Sequence, residues 1–391
     1  MLHKLINLNS DLKQLWTEGY EVEISDNHLL IHHVPYLNSH GKIKYGTLVS
    51  TLHLAGDTTL KPDTHVTYFM GEAPCYKDGK TIDAIINSNQ TQKLTSQIIV
   101  NHTFSSKPAN GYLNYFEKIS TYINIISAPA KSLDDSVTEK TFKVVKQRKS
   151  KSVFTYADTN SSRAKISCIS EKLVEQRISI IGLGGTGAYI LDLVAKTPVF
   201  EIHIFDGDIF KSHNAFRTPG ATAIQKLRLR ISKTEYLKQV YSKMHRKIVS
   251  HNYYVDSTNL DELSEMDFVF LSVDKGSVKE EIINYLELRG ISFIDVGIGI
   301  QNVDDKLRGA VRVTTSTEKK RDHVRNRISL TDETLNEYAE NIQTAELNAL
   351  NASLAVIKWK KLSGFYHDFE NENHSEYTIN SNLLTSIEHD S

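Results

Sequence analysis

Four glycines, two aspartates, an asparagine and an arginine fall within one short stretch, where their types and spacing could handle a phosphorylated ligand. The segment IIGLGGTGAY sets Gly182, Gly184, Gly185 and Gly187 between a compact apolar run, RISIIG, and a helical pattern, GAYILDLVAKT. Glycine permits positive φ there and lets an anion approach the backbone at a helix N-terminus, where unpaired N–H groups and the helix dipole favour negative charge. A structural tight turn is the bland alternative. Asp206 ends the next apolar run, EIHIFD, 24 residues after Gly182. A carboxylate so placed accepts hydrogen bonds from ribose hydroxyls, of NAD and of ATP alike. The loop FDGDIFKSHNAFRTPGA then adds Asp208, Asn214 and Arg217. A dehydrogenase has no need of these groups in one loop. An enzyme that cleaves a phosphoanhydride does, because an arginine and a lysine neutralise phosphate oxygens while a separate carboxylate holds Mg²⁺.

The elements that must position these residues follow from the texture of the second half. Short, continuous apolar runs alternate with helical patterns: RISIIG, EIHIFD, DFVFLSV and SFIDVG are separated by GAYILDLVAKT, ISKTEYLKQVYSKMHRKI and EEIINYLELRG. Strands buried on both faces and separated by helices predict a doubly wound, mostly parallel α/β domain. The first half reads differently. An amphipathic helix over residues 1–18 precedes the β-rich runs EVEIS, LLIHHV, KYGTLVSTLHL and THVTYFM, divided by turn signals, so a smaller α+β domain is expected. The expected boundaries are an N-terminal domain at 1–145, a polar linker at 146–162, the α/β domain at 163–369 and an exposed tail at 370–391.

Composition narrows the function. Lys and Arg number 46 against 47 Asp and Glu, so no basic excess serves nucleic acid. No apolar run approaches a membrane span, and the N-terminus does not read as a signal peptide, which leaves a cytoplasmic chain as the expectation. Two cysteines exclude a disulfide framework and a four-cysteine zinc site. The 16 histidines lack carboxylate or cysteine partners at ligand spacing, so they read as strand-face residues.

G-x-G-G-x-G, then D-x-D, then N-x-x-R with its arginine eleven residues after the first aspartate, resembles the ThiF-type family of ATP-dependent activators of ubiquitin-like proteins. The resemblance spans roughly Arg163 to Phe369. It implies that Gly182, Gly184, Gly185 and Gly187 surround the nucleotide, that Asp206 holds the ribose with Asp208 beside it, that Asn214 takes part in binding the nucleotide, and that Arg217 neutralises the phosphates. The family lysine falls near Arg230; Lys233, opening the pattern KTEYLKQVY, is the nearest lysine in a suitable context. The metal-holding carboxylate maps onto Asp274, after the run DFVFLSV, and an arginine upstream of the glycine turn, which often reaches a partner subunit's ATP, maps onto Arg163. The implied reaction is adenylation of the C-terminal carboxylate of a ubiquitin-like carrier, with ATP and Mg²⁺. A conjugating enzyme is the implied downstream partner, and a homodimer the implied assembly. The family's bacterial neighbours imply antiviral defence.

Bland readings stand beside each assignment: turn acids for Asp206 and Asp208, a local cap for Asn214, a surface charge for Arg217, a solvated helix residue for Lys233, and a helix cap for Asp274. A catalytically idle scaffold and an NAD-dependent oxidoreductase are the competing functions. The chain departs from the ubiquitin-activating pattern in one respect, since residues 169–391 contain no cysteine. Cys168 reads as a buried small residue. Cys75, in FMGEAPCYKDGK, lies near Lys77 and Lys80, whose charges would favour a thiolate, and is a candidate thioester acceptor, with direct transfer to a conjugating partner's cysteine or to an amine as the alternative. The helical pattern AELNALNASLAVIKWKKL is apolar over much of its circumference, which fits burial in a core or at a subunit interface.

Overall fold

A computed structural model describes residues 2–145, 152–330 and 342–387. It divides into two compact units, residues 1–152 with 156–171, and 153–155 with 172–391. The expected linker therefore shifts: 146–151 lie outside the described residues, and 156–171, including Arg163, belong to the first unit.

The first unit opens with two helices, α1 (Leu2–Leu8) and α2 (Ser10–Thr17), rather than one. Asn9 interrupts them because its side chain is engaged elsewhere, donating to the Leu5 and Asp57 carbonyls and accepting the Thr59 N–H. Six antiparallel strands follow: β1 (Glu21–Ser25), β2 (His28–Leu37), β3 (Ile43–Thr51), β4 (Val66–Met70), β5 (Ile86–Ser88) and β6 (His102–Ser105), in the order β1-β2-β3-β4-β6-β5. Helix α3 (Tyr115–Lys131) starts where the Asn114 side chain accepts the Glu117 N–H. Its Tyr115, Ile119, Tyr122, Ile123 and Ile126 recur at helical spacing and pack with Leu29 and Ile31 of β2. The alternate residue Leu30 joins a second cluster with Val49, Tyr68 and Ile98 on the other face. Helix α4 (Thr159–Arg163) also lies in this unit. The fold is the smaller α+β domain that the sequence predicts.

The second unit is built on an eight-stranded sheet. Its strands are β7 (Arg177–Ile181), β8 (Glu201–Phe205), β9 (Ile248–His251), β10 (Phe268–Leu271), β11 (Ser292–Val303), β12 (Lys306–Ser316), β13 (His374–Thr378) and β14 (Leu383–Ile387). The order is β9-β8-β7-β10-β11-β12-β13-β14. The first five are mutually parallel and the last three add as antiparallel neighbours. Continuous apolar strands are needed because both faces are covered. Ile178, Ile180, Phe268, Phe270 and Ile294 face one core, whereas Ile181, Val269, Leu271 and Phe293 face another. Helices α5 (Gly185–Val194), α6 (Lys233–Tyr241) and α8 (Ala345–Leu362) cover the first face, and α7 (Gly276–Leu288) the second.

Two sequence expectations change, and the core reading of the C-terminal helix holds. The pattern read as one long helix over 231–248 is helical only to Tyr241, and its last residue, Ile248, opens strand β9. Residues 370–391 are not simply a tail, because β13 and β14 extend the sheet and only 388–391 fall outside the described residues. The C-terminal helix, α8, packs within this unit, burying Trp359, Ala352 and Ala355.

Candidate functional site

In a doubly wound sheet, ligands bind beyond the carboxyl ends of the strands, where the strand order reverses. Here that point lies between β7 and β10, and it gathers Gly182, which follows β7, Asp206, which follows β8, and Ser272 to Asp274, which follow β10.

The glycines have distinct physical roles. Gly182 has φ +87°, and a Cβ there would lie 2.3 Å from the Ser272 carbonyl oxygen. A Cβ on Gly187 would lie 1.9 Å from the Gly182 carbonyl oxygen, so this glycine lets α5 pack directly on the turn. Gly185 is closed off by the amide of Asn348, a Cβ falling 2.0 Å from its Nδ2. Gly184, the N-cap of α5, has nothing within 4 Å of its would-be Cβ, so its backbone faces open space at a helix N-terminus.

Asp206 is buried and organises the loop. Its Oδ2 accepts the Leu183 N–H at 2.7 Å, and its Oδ1 accepts the Asp208 N–H at 2.8 Å. Lys233 is only 6% exposed, and its Nζ reaches Asp206 Oδ2 at 3.2 Å and Asp208 Oδ2 at 2.7 Å. The solvated-helix reading of Lys233 is overturned. Ser232 caps α6 by accepting the Glu235 N–H, which fixes the helix start that delivers this lysine. Burial pushes the Asp208 carboxyl up, but bonds from Lys233 and Tyr254 and the charges of Lys233 and Lys211 outweigh it and hold the group below its ordinary value. Tyr254 donates to Asp208 while its ring closes over Gly207, where a Cβ would meet the ring at 2.7 Å. That bond, with burial and the charges of Asp208 and Asp206, pushes the phenol up to about 12.

Asn214 is buried. Its Oδ1 accepts the Lys211 N–H at 2.9 Å, so the local-cap reading holds for one end of the amide. Its Nδ2 is buried and has no hydrogen-bond partner among the described residues, and the same is true of Arg217 Nε. Such donors are costly to leave unpaired. Burial lowers the pKa of His213, as do the cations of Arg217, Lys211 and Lys233, against the opposing charge of Asp208. The Arg217 carbonyl accepts from Asn348 Nδ2 at 3.5 Å, and Asn348 Oδ1 accepts the Thr186 hydroxyl at 2.9 Å. Asn348, fully buried on α8, thus ties the glycine turn to the arginine loop.

Asp274 is exposed between β10 and α7, at the carboxyl edge where the sequence places it. It offers a hard oxygen donor of the kind Mg²⁺ takes. No group of three or more His, Cys, Asp or Glu among the described residues could hold a metal alone.

Two expected site residues, Arg163 and Cys75, belong to the first unit. Arg163 ends α4, exposed, with its Nε 3.9 Å from Asp63 Oδ2. Cys75 is buried, and its thiol donates to the Ala73 carbonyl at 3.3 Å. Burial, then the charges of Glu72, Asp78 and Asp83, push this thiol up, the reverse of the direction expected from Lys77 and Lys80. Lys80 is turned to Asp78, and Lys77 donates to the Ser132 carbonyl. Cys168 is half-buried rather than buried, and burial raises its thiol too. Sequence reasoning missed Asn348 and Tyr254. A polar residue on an otherwise apolar face was the one signal available for Asn348, and none marked Tyr254.

A model described as the ThiF family matches residues 158–374, and one described as a domain of unknown function (DUF6791) matches residues 10–159. No curated protein matches the chain. Among solved structures, E. coli MccB with MccA-N7isoASN is 15% identical, with 59% of this chain and 69% of that one covered at a TM-score of 0.47. PaaA is 15% identical, with coverages of 56% and 75% and a TM-score of 0.47. E. coli MccB with ATP is 17% identical, with coverages of 56% and 65% and a TM-score of 0.46. No helix among the described residues is long and apolar enough to cross a membrane. With its glycine turn, carboxylate pair and arginine loop inside a match that spans more than half of the 391 residues, the chain belongs to the ThiF family.

Proposed function

We propose that the second unit adenylates the C-terminal carboxylate of a ubiquitin-like carrier protein with ATP and releases pyrophosphate. The activated carboxyl then passes to a thiol of a conjugating partner. The observation that carries this reading is the pair of buried, unpartnered donors, Asn214 Nδ2 and Arg217 Nε, in a loop of the unit whose glycine turn leaves Gly184 open. Phosphate oxygens would satisfy both donors. Asp206 retains acceptor capacity for ribose hydroxyls beyond its three present donors.

A carboxylate is already a nucleophile, so the reaction needs placement and charge neutralisation rather than a general base. The carboxylate oxygen attacks the α-phosphorus, and the bond to the bridging oxygen breaks as pyrophosphate departs. Arg217 and Lys233 neutralise the leaving group, Lys233 turning from Asp208 toward it. Asp274 is the residue that would hold Mg²⁺, which supplies charge neutralisation at the phosphate oxygens when bound. The buried, raised thiol of Cys75 favours direct transfer to the partner over a thioester on this chain. Arg163 is assigned to the nucleotide of a second copy in a homodimer.

Pyrophosphate exchange with ATP–Mg²⁺ and a candidate carrier tests the reading. The Asp274→Ala variant should lose exchange while its circular dichroism and melting are unchanged. Normal exchange in that variant would remove Asp274 from the mechanism.

A further inference from the structure

The first unit carries a hydroxyl, an imidazole and a carboxylate in series on three adjacent strands. His32 Nδ1 lies 3.1 Å from Thr47 Oγ1, and His32 Nε2 lies 2.7 Å from Glu23 Oε2. A carboxylate only accepts, so the ring proton sits on Nε2, and Nδ1 is left to accept the Thr47 hydroxyl proton. This is the order in which a nucleophile, its base and an orienting group must stand.

The series opens into a cavity of about 650 Å³ that Glu23, His32 and Thr47 all line. The backbone is irregular at that point. The pairing of β2 with β3 shifts between Ile31 and Val34, and His33 has φ +58°. Neighbouring residues of a regular strand face opposite sides, but this bulge turns His33 into the same cavity as His32, where it stacks on Tyr45 with ring centroids 4.1 Å apart. A bulge with a non-glycine residue at positive φ carries a local cost that persists only when the surrounding structure enforces it. Leu30, Met70 and Ile98 give the cavity an apolar wall, and Lys143 gives it a cation. The imidazole is 28% exposed and the carboxylate 19%, so the pair is held in place yet reachable.

We propose that this cavity is a second active site, which hydrolyses carboxylic esters bearing a short apolar acyl chain. Thr47 is the nucleophile, His32 the general base and Glu23 the group that orients it. The acyl chain lies on the wall of Leu30, Met70 and Ile98. As Thr47 Oγ1 bonds to the carbonyl carbon, its proton moves to His32 Nδ1, and the carbonyl electron pair moves onto oxygen, whose charge the Lys143 cation in the cavity lining offsets. Collapse of this intermediate breaks the bond to the leaving alcohol, which takes the proton from His32. Water then attacks the Thr47 ester by the same route, releasing the acid and restoring the hydroxyl.

The test is hydrolysis of p-nitrophenyl butyrate by the full-length protein. Thr47→Val and His32→Ala should each lose about 10²-fold or more in turnover. The double variant should be no worse than either single one, because groups that act as a unit are not additive. Thr47→Ser keeps the hydroxyl and should keep the activity, an outcome that a role in strand packing does not predict. Melting curves identify any variant that fails to fold, and the Thr47→Ser against Thr47→Val comparison then decides. Equal turnover in the wild type and in folded Thr47→Val overturns the proposal.

Discussion

Both units bury lysines, and two of these, Lys233 and Lys118, are accommodated in contrasting ways. Lys233 stands against two carboxylates, Asp206 and Asp208, at 3.2 and 2.7 Å. Lys118, on α3 in the first unit, is fully buried and donates to the Ser50 hydroxyl at 3.0 Å. Burial lowers its pKa to about 7, with only the charge of Asp63 opposing. A buried ammonium is tolerable where opposite charges and hydrogen bonds replace water, and it sheds its proton where they do not. The contrast separates a cation kept for use from a polar group absorbed into a core.

Lys233→Met breaks the contrast most severely. The variant removes a phosphate-neutralising charge, and exchange should fall on the order of 10²–10³, as for loss of one preorganised donor. It also leaves Asp206 buried without its cation, so melting should fall as well. Lys233→Arg separates the two effects, because it keeps the charge but not the compact geometry. If Lys233→Met exchanges at the wild-type rate, Lys233 serves the loop and not the reaction.

The glycine turn sharpens the contrast at the level of the backbone. Gly187→Ala places a methyl 1.9 Å from a carbonyl oxygen, so α5 must move away from the turn. A cost of about 3 kcal/mol is expected, read from denaturant unfolding of the second unit. Gly184→Ala meets open space at the same helix terminus and should leave stability nearly unchanged. A weakened affinity for ATP in the folded Gly184→Ala variant would mark that open space as the path of the phosphates. Unchanged affinity would place them elsewhere.

How much of this was legible in the sequence follows from the range of each interaction. The parallel sheet was readable because strands buried on both faces must be continuously apolar, and the glycine turn because its spacing is local. Asp206 and Asp208 were found for the same reason. Strand β9 escaped notice because IVSH is only four residues long and begins at the last residue of a polar stretch that suits a helix. Strands β13 and β14 look polar because they sit at a solvent-facing sheet edge, where pairing needs backbone groups rather than apolar side chains. Asn348 meets its partners Thr186 and Arg217 across 162 and 131 positions, and no short-range pattern could bring them together. Lys77 and Lys80 misled because proximity in sequence says nothing of direction. The chain turns both away, and folding sets Glu72, Asp78 and Asp83 against Cys75 instead.

The most gradual expected effect lies in the first unit and is a dependence on pH. The folded pKa of Lys118, about 7, is lower than the 10.5 of an unperturbed lysine. Between these values the unfolded chain holds a proton that the folded unit has released. Stability is greater wherever the unfolded state binds more protons as pH rises, so this unit should become more stable from about pH 7 to pH 10, by up to about 1.4 kcal/mol per pH unit. Below about pH 7 both states carry the proton and the slope vanishes. Lys118→Met removes the group, so its unfolding should lose this slope and show greater stability than the wild type near neutrality. Urea melts of the full chain at pH 6.5, 8 and 9.5, followed through the first unit's transition, measure this directly. A slope that survives Lys118→Met would assign the dependence to another group, and the contrast with Lys233 would then have to rest on geometry alone.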